Sequence, residues 1–210
     1  MSPYGVIVAD PPWTFGDRLT MSKVRRGAAA HYPVLDTDAL CALPVPALAA
    51  DDAVLLLWCP DALLADGLRV FAAWGFRHTQ VWTWAKTTRA ETRLEDDLPD
   101  DVALAFGMGR LARACSEHAL VGVRGSPYRD LAVHDVRNVF PHPALRHSAK
   151  PETIQDALDR MFPTYRKLEL FARRQRTGPW TCAGNEAPET RGMDIRDVLP
   201  LLTSRPRCNP

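Results

Sequence analysis

The chain has 210 residues, with 26 Lys and Arg against 25 Asp and Glu and a formal net charge of +1. That length, with 46% apolar and 24% charged residues, suits one sizeable soluble domain with a full core. The near-neutral balance excludes nucleic-acid binding by bulk electrostatics, so such binding needs a local patch or a partner.

Residues Val6-Ile7-Val8-Ala9 read as a short buried strand that ends at Asp10. A long loop follows from Thr14 to Val34, basic between Arg18 and Ala30. Asp36-Thr37-Asp38 is a helix-start signal for Ala39–Leu43, and Pro44 ends it. The continuous apolar run Ala53–Cys59 predicts a strand covered on both faces. Pro60-Asp61 opens a helix through Trp74, which Gly75 closes. Phe76–Lys86 is predicted as a strand, 87–110 as an acidic solvated loop, and Ala119–Arg124 as a further strand. Pro151 starts a helix to Phe162, and Lys167–Arg173 is a late strand. Strands alternating with helices imply a doubly wound α/β sheet. Residues 187–210, rich in proline, are expected to be a partly disordered tail with at most one short helix near Asp194–Leu201, outside a domain spanning 1–186.

Five cysteines are scattered, odd in number and without a Cys-x-x-Cys pair, which predicts reduced, packed thiols in a cytoplasmic protein. The six histidines form no metal-ligand set with them, so no metal is expected. There is no basic n-region of a signal peptide, and the apolar run 53–59 is too short to cross a bilayer.

Asp10-Pro11-Pro12-Trp13 concentrates chemistry. The carboxylate accepts hydrogen bonds, and two prolines fix the backbone without an inward-pointing N–H, leaving their carbonyls as acceptors. Trp13 adds a flat stacking surface. Such a set can hold a planar ring by an exocyclic amino group. If Asp10 accepts one amine N–H and the Pro11 carbonyl the other, the lone pair localises on nitrogen and becomes able to attack a methyl group. Trp13 would keep the base in line, and acceptors placed where positive charge develops would stabilise the transition state.

Matches run in order along the chain: Val8-Ala-Asp-Pro-Pro-Trp13, His31-Tyr32-Pro33, Leu55-Leu-Leu-Trp58, Trp84-Ala85-Lys86, Glu117-His118 with Leu120-Val-Gly-Val-Arg-Gly125, His147-Ser148-Ala149-Lys150-Pro151, Leu168-Glu-Leu-Phe-Ala-Arg173 and Gly184-Asn185-Glu186. On these, over roughly residues 5 to 186, the chain resembles the adenine methyltransferase family named for the seventy-kilodalton subunit of the messenger-RNA N6-adenosine methyltransferase, in its compact phage and bacterial form. The resemblance implies a Rossmann-like class I methyltransferase fold in permuted order, with the catalytic motif early and the donor-binding strand late. It implies S-adenosylmethionine as cofactor and the N6 amine of adenine in nucleic acid as acceptor. Carried over by position, Asp10, Pro11, Pro12 and Trp13 would be catalytic. Lys150, Glu169, Phe171, Arg173 and Gln175 would line the donor site with Asp10, and Asn185 and Glu186 would hold the ribose hydroxyls. Tyr32 would lie on the loop closing over the base, with Trp13 and Lys150 also on the substrate side. Ala172 and Arg173-Arg174 depart from a glycine-containing turn of many amino-methyltransferases.

Three functions compete. The first is N6-adenine methylation, with DNA ahead of RNA because the form is compact. The second is a non-catalytic subunit that presents nucleic acid to a partner, which the intact Asp10–Trp13 set disfavours. The third is the same chemistry on the equivalent amine of cytosine. The low net charge points to a homodimer or a heteromeric partner that extends the nucleic-acid surface.

Overall fold

The protein is described by a computed structural model covering residues 3–14, 35–88, 103–109, 111–145 and 149–204. The long loop expected after Thr14, with its basic stretch and Tyr32, lies outside these residues.

Strand β1 (Tyr4–Ala9) is buried along its whole length. Helix α1 (Thr37–Cys41) begins as expected: the Asp36 side chain accepts the Ala39 N–H at 2.7 Å. Strand β2 (Ala49–Cys59) contains the apolar run, and a 3-10 turn at Asp61–Leu63 leads into α2 (Leu64–Ala73). Gly75, at φ +77°, reverses the chain after α2 in a conformation strained for any side-chain-bearing residue. Strands β3 (Arg77–Thr87) and β4 (Ser116–Arg124) follow. Next come β5 (Val139–Pro143), α3 (Thr153–Met161), β6 (Lys167–Leu170), β7 (Trp180–Ala183) and α4 (Ile195–Ser204).

The seven strands form one sheet in the order β5-β3-β4-β2-β1-β6-β7. Strand β4 pairs antiparallel with both neighbours, and every other pairing is parallel. The fold is mixed α/β, consistent with a Rossmann-like methyltransferase. From β1 the chain crosses to β2 on one side, and from β6 it crosses to β7 on the other. The carboxyl ends of β1 and β6 therefore flank a topological switch point, where open α/β sheets bind ligands.

Both sheet faces are covered, which is why β1 and β2 read as continuous apolar runs. Ile7, Leu55 and Leu57 face a layer containing α1, α2 and α4; Val6, Val8, Leu56 and Trp58 face α3. Trp58, Trp74, Trp82 and Trp84 are all core residues.

Three points of the sequence reading need correction. The late strand ends at Leu170 rather than Arg173, because Phe171 adopts φ +62° and turns the backbone out of the ladder. Strands β5 and β7 were not foreseen: Val139-Phe-Pro-His-Pro143 contains two prolines, and Trp180-Thr-Cys-Ala183 is only four residues long. The short helix expected near Asp194–Leu201 forms as α4, but it is not part of a loose tail. It puts Ile195, Val198, Leu199 and Leu202 on one stripe, each buried in the core that also holds Ile7 and Leu55.

Candidate active site

Side chains alternate along a strand, and registered neighbours share a face. Val6 and Val8 point toward α3, so Asp10, the next residue in that alternation, does too. Val8 pairs with Glu169, Trp58 with Ala119, and Trp84 with Glu117. Asp10, Trp58, Glu169, Glu117 and Lys86 thus emerge from one face of the sheet, near the ends of their strands.

A cleft of about 520 Å³ lies there, between the ends of β1 and β6 and the start of α3. Its walls include Asp10, Trp58, His142, Lys150, Glu152, Thr153, Gln155, Glu169, Phe171, Arg173 and Glu186. The size suits a nucleoside-bearing small molecule.

Lys150 is the hub. Its Nζ lies 2.8 Å from Asp10 Oδ2, 3.5 Å from Glu117 Oε2 and 5.2 Å from the Trp58 ring centroid. Burial opposes its charge, but Asp10 and Glu117 outweigh that and hold the ammonium above the usual lysine range. Glu117 also accepts from Lys86 Nζ at 2.6 Å, so four charges alternate in sign from Lys86 to Asp10. Glu117 and Lys86 were quoted in the family match but were not assigned to the site. Only the pairing of β3, β4 and β2 brings them to Lys150.

Across the cleft, Glu169 Oε2 accepts from Gln155 Nε2 at 2.9 Å, and its other oxygen is 3.5 Å from Arg174. Burial, with a smaller push from Asp10, holds its carboxyl above the ordinary range against the pull of Gln155 and the arginines. Arg173 Nε donates to Glu186 Oε2 at 3.1 Å. The Cys182 thiol, pushed up to about 11 by burial, packs against Glu169.

Of the expected residues, Asp10, Lys150, Glu169, Phe171, Arg173 and Glu186 meet in one cleft. Gln175 and Asn185 do not line it: both are exposed, and Gln175 Nε2 donates to the carbonyls of Arg176 and Trp180. Trp13 is 5% exposed, and its indole N–H donates to the Trp58 carbonyl at 2.9 Å, so it is a core clamp between β1 and β2 rather than a platform facing the cleft. The proline carbonyls are not free either. Pro11 O accepts the Trp13 N–H at 2.9 Å and Pro12 O the Leu35 N–H at 3.1 Å, which leaves each oxygen one further lone pair.

Residues 4–186 match the MT-A70 protein family. The chain belongs to the MT-A70 family. Among its relatives is the Type II methyltransferase M.MunI of Mycoplasma sp, 29% identical over 203 residues, which cover 90% of this chain and 79% of that protein. The human N(6)-adenosine-methyltransferase catalytic subunit METTL3 is 27% identical over 194 residues, and the MT-A70-like protein of Drosophila melanogaster 28% identical over 202. The MT-A70 chain here spans 28% of the length of each of these two eukaryotic proteins. Among the described residues, no helix is long and apolar enough to cross a membrane.

The residues present fit the methyl donor of such enzymes. Thr153 Oγ1, on the cleft wall, is buried with no hydrogen-bond partner, and the Glu152 side chain does not cap the first turn of α3. Together with Lys150 these are donors for a carboxylate at a helix start. Asp10, Glu169 and Glu186 are acceptors for an ammonium and for hydroxyls.

Proposed function

We propose that the chain transfers a methyl group from S-adenosylmethionine to the exocyclic N6 amine of adenine, with DNA as its substrate ahead of RNA. The observation that carries this is the Asp10 carboxylate at the carboxyl end of β1, held by Lys150 inside a cleft at the β1/β6 switch point. When bound, the sulfonium cofactor supplies an electrophilic methyl group. Lys150, Thr153 and the α3 N-terminus would seat its carboxylate. Glu169, or Glu186 held by Arg173, would take the ribose hydroxyls.

Asp10 would accept one N–H of the adenine amine, and the Pro11 oxygen, with its spare lone pair, the other. Both acceptors stabilise the positive charge that grows on nitrogen during attack, and the proton leaves afterwards. The amine is paired inside a duplex, so the base must be rotated out or already single-stranded. Trp13 contributes by fixing the Pro11-Pro12 turn rather than by stacking on the base.

DNA is favoured because a relative spanned over 79% of its length is a Type II methyltransferase, whereas the two eukaryotic adenosine methyltransferases named above are spanned over 28% of theirs. The near-neutral charge leaves the nucleic-acid surface to be completed by a second copy or a partner. Purified protein incubated with labelled donor and single- or double-stranded DNA or RNA, followed by nucleoside mass spectrometry, tests this. N6-methyladenine appearing in DNA is expected. N4-methylcytosine, or label in RNA alone, would reverse the assignment.

A further inference from the structure

Arg176 lies in the loop between β6 and β7, and its side chain is only 6% exposed. It is not on the cleft wall. Nη1 donates to Glu152 Oε2 at 2.9 Å, and Nη2 donates to Asp156 Oδ1 and, at 3.2 Å, to Asp159 Oδ2. Those acceptors stand at i, i+4 and i+7, one per turn along a single face of α3. One guanidinium therefore spans about two turns, from the helix cap Glu152 to Asp159. The grip is itself anchored. The Arg176 N–H donates to Cys182 Sγ at 3.4 Å, its guanidinium lies 5.7 Å from the Trp180 ring centroid, and Trp180 Nε1 donates to Asp159 Oδ1 at 3.0 Å. Lys167, with a fully buried side chain, approaches the same Asp159 at 3.4 Å.

Two of the three gripped residues, Glu152 and Asp156, line the cleft, as do Thr153 and Gln155 between them. The orphaned Thr153 hydroxyl and the uncapped first turn of α3 are useful to a ligand only if that turn is held at a fixed distance from Lys150 and Glu169. The apolar stripe of α3 (Ile154, Ala157, Leu158) fixes its depth on the sheet. The burial itself is non-directional, so the place of the helix along its own axis draws also on directional contacts. A fan of charge-assisted hydrogen bonds does oppose sliding.

We propose that Arg176 is a positioning residue for the methyl-donor site: by clasping three acidic positions along α3 it sets the place of the helix start that receives the donor. This rests on the reading that the cleft takes S-adenosylmethionine. The geometry of the fan matters, not the charge alone, since a lysine ammonium cannot reach three carboxylates in one plane.

The test is calorimetric titration of the whole protein with S-adenosylhomocysteine, with thermal melts and steady-state kinetics alongside, for wild type, Arg176→Met and Arg176→Lys. Both variants are expected to bind roughly ten-fold or more weakly, a loss typical of a site displaced by a fraction of an ångström. Turnover at saturating donor should stay within about two-fold of wild type. A role confined to stability would lower the melting temperature of the variants and leave their affinity at the wild-type value, which overturns the proposal. Wild-type affinity in Arg176→Lys would also overturn it, because charge alone would then suffice. Should Arg176→Met not fold, Arg176→Lys and Asp159→Asn, which removes one point of the grip, decide by the same criterion. If the wild type itself does not bind S-adenosylhomocysteine, the donor assignment fails; if it binds and the variants match it, only the role of Arg176 fails.

Discussion

Asp10 and Lys150, 140 positions apart, meet at 2.8 Å, and Glu117 approaches the same ammonium from the far side at 3.5 Å. The pairing keeps a carboxylate oriented at the end of β1 without burying it, since about a third of the Asp10 side chain remains exposed. Asp10→Ala is expected to lower methyl transfer by a factor on the order of a thousand, the scale of losing a preorganised transition-state acceptor. Binding of S-adenosylhomocysteine should remain measurable, because Lys150, Thr153 and Glu169 stay in place. Methyl incorporation and calorimetry on the same preparation check both halves.

Lys150→Met leaves Asp10 without its cation, while Glu117 keeps Lys86. Donor binding should weaken, and stability at neutral pH should fall, because a half-buried carboxylate loses its partner. The pH signature distinguishes the charge from mere packing. The native value of Lys150 is raised above 10.5, so its contribution is complete below that pH and is lost as pH rises through the raised value. Wild-type melting temperature should therefore fall on the alkaline side in part through this group, and the variant should lack that part.

Glu169 carries the opposite sign. Burial raises its native carboxyl above 4.5, so the native state holds the proton more tightly than the unfolded chain does. Its ionisation costs stability as pH rises through the raised value, and the cost disappears below 4.5. Glu169→Gln should melt higher than wild type near pH 7, with the difference closing toward pH 4, while binding the donor more weakly. Paired melting curves across that range, with calorimetry at neutral pH, are the check.

Trp13→Phe keeps an aromatic side chain, though a smaller one, and removes the N–H that satisfies the Trp58 carbonyl. The expected loss is about 1–3 kcal/mol, the cost of leaving a buried acceptor unpaired, read from urea denaturation. Donor affinity should be unchanged, because the indole does not line the cleft. A large loss of affinity with intact stability would return the tryptophan to the binding surface.

Leu199→Ala tests whether the chain beyond 186 belongs to the domain. Leu199 is fully buried in the core shared with Ile7 and Leu55. A loss of about 2–5 kcal/mol is expected, as for other buried leucines. A chain ended at 186 would expose that face of the sheet and should fail to fold as a soluble monomer.

Much of this protein is decided locally and so is visible in the linear order of residues. Apolar runs set β1 and β2, Asp36 and Gly75 punctuate the helices, and the ordered motifs bring Asp10, Lys150 and Glu169 under suspicion together. Those features depend on side-chain chemistry and backbone freedom within a few residues. What tertiary structure alone decided concerns partners. The indole of Trp13 turned inward because a buried carbonyl on β2 needed a donor. Glu117 and Lys86 joined the site because β4 runs antiparallel between β2 and β3. Gln175 fell outside the cleft, its amide donating instead to the carbonyls of Arg176 and Trp180, and of the pair at 185 and 186 only Glu186 lines the wall. Residues 195–202 became core because an apolar stripe found an open sheet face. Which atoms meet across a hundred positions depends on register, handedness and packing, and these are properties of the whole sheet rather than of any window along the chain.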